Sequence, residues 1–421
     1  MTNNTSLTEP AIATGGVKTN GMAPRGGKKK KIGLIGVGSI NWLGGLQYVT
    51  NIVHALESIG SEQDIEVHIL KNERQHFPHL DHFKNIKLYL HDIDSYFPPW
   101  SFTNRVVWFF QRKFFKRIVP RMENKLIKEK FDFVFPIIVS SCNGQLNTAG
   151  WIADFQYHYY PEGASPEVTA SAYREISFIS HNCKKIVLSS KACEDDCHSI
   201  FPVTRGKTHA MPFTVYIGQE LLHKNNFDEL LKKYQLPENF IIVSNLFCPT
   251  KNHVTLFKAI ALLKDKGIRI DLACTGNIVD QRNLHFGNEI LQSITNLGVR
   301  DRVHLLGIIP RQDQVTLYRM SKAIVQPSVN EGWSTLVEEA KVLGKNLLLS
   351  NIAVHLEQNP GNPYFFESTN VSDLADKIEK LLNDTRGVRF PEMDKEKQAF
   401  EAYQKKIQEF GRRFMEVAAS A

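Results

Sequence analysis

Cysteine is scarce in this 421-residue chain. Its six residues, Cys142, Cys183, Cys193, Cys197, Cys248 and Cys274, are scattered. That argues against a disulfide framework and for free thiols in a reducing compartment. His181, Cys183, Cys193, Cys197 and His198 cluster in sequence, but their spacings fit no common zinc pattern. No stretch reaches the ~18–20 apolar residues that a spanning helix needs. The N-terminus lacks the apolar segment of a secretory signal. Large apolar residues are almost missing from residues 1–27, which are rich in Thr, Asn, Gly and Ala. Such a stretch cannot offset the entropy of ordering and is expected to be a disordered tail. The run Lys28 to Lys31 closes it. No aromatic or basic module accompanies that run, so it reads as a solvated patch before the first strand and not as a nucleic-acid signal.

What is present is an ordinary globular composition, 42% hydrophobic and 23% charged, long enough for large cores and for roughly two or three domains. A net charge of +7 suits an anionic partner and says nothing about fold.

Two halves of the chain share one grammar. Lys31-Ile-Gly-Leu-Ile-Gly-Val-Gly38 is a short apolar strand running into glycines. A helical pattern follows from Tyr48 to Leu56, then a strand from Ile65 to Leu70. That is the unit of a parallel, doubly wound sheet. Phe131 to Pro136 and Lys185 to Ser189 read as further strands. The second half repeats the alternation, with strands at Phe240–Ser244, Arg269–Thr275, Val303–Gly307 and Ala323–Pro327 and helices at Thr255–Lys264 and around Gln312–Met320. The expected boundary lies between Val215 and Glu238, and Asp394–Val417 reads as a long helix. Ligands of open α/β sheets bind beyond the carboxyl ends of the strands, and clefts between domains are favoured.

The segment Pro327-Ser-Val-Asn-Glu331-Gly-Trp-Ser-Thr-Leu-Val-Glu-Glu339 passes from a strand into a helix whose N-terminal residue is Ser334 or Thr335. Gly332 allows close backbone approach. The free N–H groups and dipole of a helix N-terminus suit a diphosphate. Glu331 sits at the mouth of that turn. Glu339, about one turn into the helix, can accept from ribose hydroxyls. Lys251, after the strand Phe240–Ser244, is the expected facing cation.

These pieces carry a resemblance. From Phe240 to Leu382 the chain resembles the donor domain of the retaining, GT-B-fold glycosyltransferases of family 4. The matching stretches are Asn245 to His253 with its Lys-Asn-His, Thr275-Gly-Asn277, Leu306-Gly-Ile-Ile-Pro310 and the Glu-x7-Glu segment. Gly44-Gly45, Trp151-Ile-Ala-Asp-Phe-Gln156 and Pro161-Glu162 extend it into the first half. The resemblance implies two Rossmann-like, doubly wound α/β domains facing across a cleft. Their expected limits are a tail 1–27, an acceptor domain 28–220, a nucleotide-sugar domain 221–393 and a helix 394–421 returning to the first domain. It also implies roles. Lys251 would stabilise the leaving diphosphate, and Glu331 would contact the donor sugar. Gly332, Trp333, Ser334 and Thr335 would meet the sugar hydroxyls and phosphates, and Glu339 the ribose. Asn245, Gly276, Asn277, Ile308 and Ile309 would complete the donor site, the last two at the base. Gly44 and Gly45 would bring the first domain's backbone against the diphosphate. The implied reaction moves a hexosyl group from a nucleoside diphosphate sugar to a saccharide or lipid-linked acceptor, without cofactor or metal, in the cytoplasm or at the inner membrane face.

Two departures stand out. Relatives often carry Asp-Phe-Gln-His; here Asp154-Phe-Gln-Tyr157 precedes His158. Either His158 takes over the acceptor-side role, beside Lys251 and Glu331 as a catalytic residue, or the acceptor side is altered. Many members also carry Arg where Asn245 stands. The rival readings are a glycosyltransferase-like protein that binds a nucleotide sugar without turnover and a GT-B nucleotide-sugar epimerase, whose hallmark acids are not evident.

Gly36-Val-Gly38-Ser-Ile-Asn41 half-matches a dinucleotide fingerprint, but Asn replaces its third glycine and no acid ends the second strand. Asp92-Ile-Asp94 is read as a loop and not as a metal site. Residues 105–130 hold nine basic residues and two acids, with Val107, Phe110, Phe114 and Ile118 at helical spacing. The segment is either a surface helix packed on the first domain or a helix that docks on anionic membranes. On the second reading the protein floats with liposomes containing anionic lipid and not with neutral ones. No flotation with either ends the idea.

Overall fold

The computed structural model describes residues 29–39, 42–77, 80, 83–96, 121–137, 146–222, 226–361 and 363–420. The expected tail 1–27 and residues 105–120 of the basic segment lie outside these. The rest of that segment includes a short helix, Arg121–Lys128.

Apolar runs without strict alternation become strands buried on both faces, as parallel sheets require. β1 (Lys30–Ile35), β2 (Ile65–Lys71), β3 (Ile86–Asp92) and β4 (Phe133–Phe135) form a parallel sheet of order β3-β2-β1-β4. β5 (Gly150–Ile152), β6 (Ile186–Leu188) and β7 (Thr208–Ala210) form a three-stranded parallel sheet beside it. A bridge between Val134 and Thr148, and a bond from the Ile137 N–H to the Ala149 carbonyl, tie the two together.

The second domain is one six-stranded parallel sheet. Its strands are β8 (Phe240–Ser244), β9 (Asp271–Thr275), β10 (Val303–Gly307), β11 (Ile324–Gln326), β12 (Leu347–Ser350) and β13 (Tyr364–Phe366), in the order β10-β9-β8-β11-β12-β13. The direction of winding reverses between β8 and β11. Their carboxyl ends therefore diverge into helices on opposite sides and leave a crevice. Lys251 follows β8 and Glu331 follows β11, so this crevice gathers residues 80 positions apart.

The C-terminal helix Met393–Ala419 joins the domains, as expected. Near its start Glu396 accepts from the Arg319 guanidinium at 2.8 Å inside the second domain. Further along, Phe414 meets Phe133 and Phe135 edge-on, with centroids 5.8 and 5.6 Å apart. The Ala418 carbonyl accepts from Asn147 Nδ2 at 2.6 Å.

Asp92 and Asp94 lie at the end of the edge strand β3, where Asp92 accepts from the Asp94 backbone N–H. The cysteine–histidine cluster is dispersed. Cys193 and Cys197 are buried, Cys197 pairs with Thr204, and His198 Nε2 pairs with Thr208. Among the described residues no group of three or more such side chains is arranged to hold a metal.

A Cβ on Gly411 would stand 2.4 Å from the Ala55 carbonyl oxygen. Gly411→Ala must push the long helix off the first domain. The expected loss is about 1–3 kcal/mol, read as a lower midpoint in urea unfolding. An unchanged midpoint would show that the contact does not bind the helix in place.

Candidate functional site

A cleft of about 590 Å³ lies between the carboxyl ends of the two sheets. Of the residues expected there, Gly44, Asn245, Lys251, Gly276, Asn277, Ile308, Ile309, Glu331, Gly332, Trp333, Ser334, Thr335 and Glu339 all line it.

Lys251 is aimed by its neighbours. Asn252 takes a left-handed conformation, φ 54°, one that asparagine tolerates better than most residues. Its amide donates to the Pro327 carbonyl at 3.1 Å, tying the β8 loop to the β11 loop, and to the Ser368 carbonyl after β13 at 2.7 Å. His253 then turns inward, stacks on Phe247 at 4.3 Å and is fully buried. Burial, with the Lys251 cation adding, drives its pKa down to about 3. The imidazole is therefore neutral and packs as core. What remains of the Lys-Asn-His run for the cleft is the Lys251 ammonium.

That ammonium lies 2.5 Å from Glu331 Oε1. The same oxygen accepts from Gln326 Nε2 at 2.6 Å and Ser328 Oγ at 2.7 Å. Burial would raise the Glu331 pKa; the Lys251 charge and these hydrogen bonds overcome it and hold the carboxyl below its ordinary value. Eight residues on, Glu339 Oε1 lies 2.5 Å from Arg311 Nη2. Burial opposes the Arg311 charge, but Glu339 more than offsets it and the guanidinium pKa is raised. Ser334 caps the helix Thr335–Val342 by accepting from the Val337 N–H, so the first turn of that helix opens on the cleft.

Glycine is required at two positions here. Gly276 has φ 129°, and a Cβ on it would lie 2.0 Å from the Asn245 carbonyl oxygen. A Cβ on Gly332 would lie 1.8 Å from the Ala153 carbonyl oxygen, so the close approach at Gly332 is to the first domain's backbone. The domains also meet where Trp333 Nε1 donates to the Phe213 carbonyl at 2.7 Å. Glu357 accepts from the Lys191 and Ala192 N–H groups at 2.8 and 2.9 Å.

Two expectations fail. His158 is exposed and does not line the cleft. It sits in a one-turn helix, Gln156–Tyr159, where each residue turns the side chain by about 100°. Gln156 faces the cleft, and Tyr157 faces Arg282 of the second domain in a small pocket beside it. His158 is carried round toward solvent. Gly45 does not line the cleft either. It is packed on Gly38, whose Cα would be 2.7 Å from its Cβ, and only Gly44 opens on the cavity.

The site also holds residues to which the motifs gave no role. Arg311, at the start of the helix Arg311–Met320, and Gln326, the last residue of β11, line it, and Asp154 of the Asp-Phe-Gln stretch lines it from the first domain. Arg282 forms a two-pronged pair with Asp280 at 2.9 and 3.0 Å and reaches Gln156 across the domain boundary at 3.3 Å. Burial raises the Asp154 pKa, and the Gln156 N–H does not cancel this.

Two facing Rossmann-like domains with a cleft at their carboxyl edges define the GT-B architecture of glycosyltransferases. Residues 226–406, spanning the second domain, match the family described as Glycosyl transferases group 1. A 156-residue stretch is 29% identical to the serotype-specific mannosyltransferase WbdA of Escherichia coli; it covers 37% of this chain and 19% of that protein. The chain thus spans about a fifth of the curated relative's length. Solved structures agree over the whole fold. Sucrose-phosphate synthase from Thermosynechococcus elongatus superposes with a TM-score of 0.65 at 15% identity, over 93% of this chain and 100% of that one. A glycosyltransferase from Rickettsia africae gives 0.61 at 16%, over 93% and 98%. Anabaena HepE, in complex with UDP and glucose, gives 0.63 at 14%, over 93% and 100%.

Lys251→Met leaves the buried Glu331 carboxylate without its cation. The expected loss near pH 7 is roughly 2–4 kcal/mol. In the parent protein the carboxyl pKa is lowered by folding, so the pair's contribution is present above the ordinary carboxylate range and fades as pH falls through it. In the variant burial raises that pKa instead, so the deficit shrinks on acidification, and Glu331→Gln added to Lys251→Met restores most of the stability. Thermal unfolding against pH checks this; a deficit independent of pH would refute the pairing.

Proposed function

We propose that this protein is a retaining hexosyltransferase of the family 4 type, moving a sugar from a nucleoside diphosphate sugar to a saccharide or lipid-linked acceptor in glycan or glycolipid assembly. The observation that carries the reading is the Lys251–Glu331 pair at 2.5 Å, set at the switch point of the second sheet and beside a helix N-terminus that opens on the cleft. WbdA's description as a mannosyltransferase, and the UDP and glucose bound to HepE, favour a hexosyl nucleotide donor.

The transition state of such a transfer resembles an oxocarbenium ion next to a departing diphosphate. Lys251 and the first turn of the helix Thr335–Val342 supply positive potential where the diphosphate gathers charge. Glu331 supplies negative charge and a hydrogen-bond acceptor beside the sugar. Glu339, held by Arg311, takes the ribose. On this reading the work is done by pre-positioned charge, and neither glutamate needs to exchange a proton or form a covalent bond.

A thermal-shift panel of UDP-, GDP- and dTDP-sugars tests the reading. A donor at a hundredfold excess over its Kd contributes about 2.7 kcal/mol, a rise of about 5 °C or more for domains of this size. Lys251→Ala and Glu331→Ala abolish turnover of the stabilising donor while keeping a cooperative melt. No stabilisation by any sugar nucleotide would sink the donor site, and stabilisation without turnover in the parent protein would favour binding without catalysis.

A further inference from the structure

We propose that Trp42 is a stacking platform for the acceptor, and that this acceptor is a saccharide presenting the apolar C–H face of a pyranose ring. The inference rests on the transferase reading and names what the first-domain side of its cleft takes.

Trp42 is 49% exposed, yet it lines the cleft. Ligand clefts are lined by aromatic side chains, and a half-exposed indole inside one is a surface that a flat ligand can cover. Its ring is not loose. One face lies parallel to Trp151, with centroids 5.9 Å apart and planes 9° off. Trp151 stacks in turn on the buried Tyr48 at 4.3 Å and 19°, and its Nε1 donates to Ser189 Oγ at 3.2 Å. A three-ring stack thus fixes the outer indole, which reduces the entropy lost when a flat ligand settles on it. Gly44 keeps the approach open: where its side chain would project, the only atoms within 4 Å belong to the Trp42 ring.

The surroundings select the occupant. Trp42 carries no charge and belongs to the first domain, whereas the lysine and helix terminus that suit a diphosphate belong to the second. A lipid chain would need a wholly apolar lining, whereas Asp154 and Gln47 line the same cleft. A sugar has both characters, with a C–H face for the indole and a rim of hydroxyls for the carboxylate and amide. Trp151 leads directly into Ala153, whose carbonyl touches Gly332 beside Glu331. A ring seated on Trp42 therefore has its hydroxyls directed along that wall toward the donor end.

The test is saturation-transfer NMR on the full chain with methyl α-mannoside, methyl α-glucoside and methyl α-galactoside, and with n-octyl phosphate as a lipid-like probe, each with and without UDP or GDP. The proposal expects transfer to the ring C–H protons of at least one glycoside. Trp42→Ala should weaken that glycoside's binding about three- to tenfold, Trp42→Phe should retain most of it, and neither should change nucleotide affinity. Equal glycoside signals in the parent and Trp42→Ala, no glycoside signal at all, or Trp42-dependent binding of octyl phosphate alone would each overturn it. Failure of nucleotide to bind the parent protein, with glycoside binding intact, would count against the donor reading and not against the platform.

Discussion

The pairing of Lys251 with Glu331 is the contact on which the cleft depends. Neither side chain could sit where it does alone. A carboxylate as buried as Glu331 would be pushed toward its neutral form, and an ammonium at the mouth of an apolar sheet edge would turn to solvent. The geometry that joins them is set at the level of topology. β8 and β11 are neighbours in the sheet but wind in opposite directions, so their loops part at the carboxyl edge and face each other across a gap. Asn252 then bridges the gap with a hydrogen bond to the Pro327 carbonyl, and a second bond to the Ser368 carbonyl beyond β13 holds the amide in place. Positioned in this way, the pair meets the requirement for electrostatic preorganisation, since charge in place beforehand needs no reorganisation during reaction.

The first domain completes that arrangement through backbone contact. The loop that carries Glu331 touches Ala153 so closely that only glycine fits at position 332, and Trp333 reaches past it to the Phe213 carbonyl. The loop that carries Glu331 is therefore also the seam between the domains. Arg282, paired with Asp280 and reaching Gln156, forms a second tie a short way along. With Glu357 on the N-terminus of the helix Lys191–Ile200, these contacts join the two domains. The long C-terminal helix, anchored in both domains, limits how far the two can separate.

Much of this was legible in the sequence because the decisive signals are local. A strand running into Glu331-Gly-Trp-Ser-Thr, and another running into Lys251-Asn-His, each state their turn, their cap and their charge within a dozen residues. The alternation of apolar runs and helical patterns announced two parallel sheets in the same way. What was not legible depends on contacts between distant segments or on the phase of a short helix. Arg311 meets Glu339, 28 residues on, only once the chain is folded. His158 looked like a substitute for the histidine expected one position earlier. A one-residue shift on a helix rotates a side chain by about 100°, enough to carry it out of the cleft. Gly45 shared a motif with Gly44, yet only one of two adjacent residues can face the cavity when the other packs on Gly38.

The protonation of the carboxyls narrows the chemistry further. Glu331 has three donors on one oxygen and a pKa held below the usual range, so near neutral pH it has no proton to give and little tendency to take one. Glu339 is held by a separate cation, Arg311, at 2.5 Å. Among the carboxyls that line the cleft, Asp154 has its pKa raised by burial, and it belongs to the first domain. On the proposed reading the diphosphate then meets charge fixed on the second domain, while Asp154, whose pKa the Glu331 charge also raises, is a carboxyl on the first domain whose charge can respond to what binds.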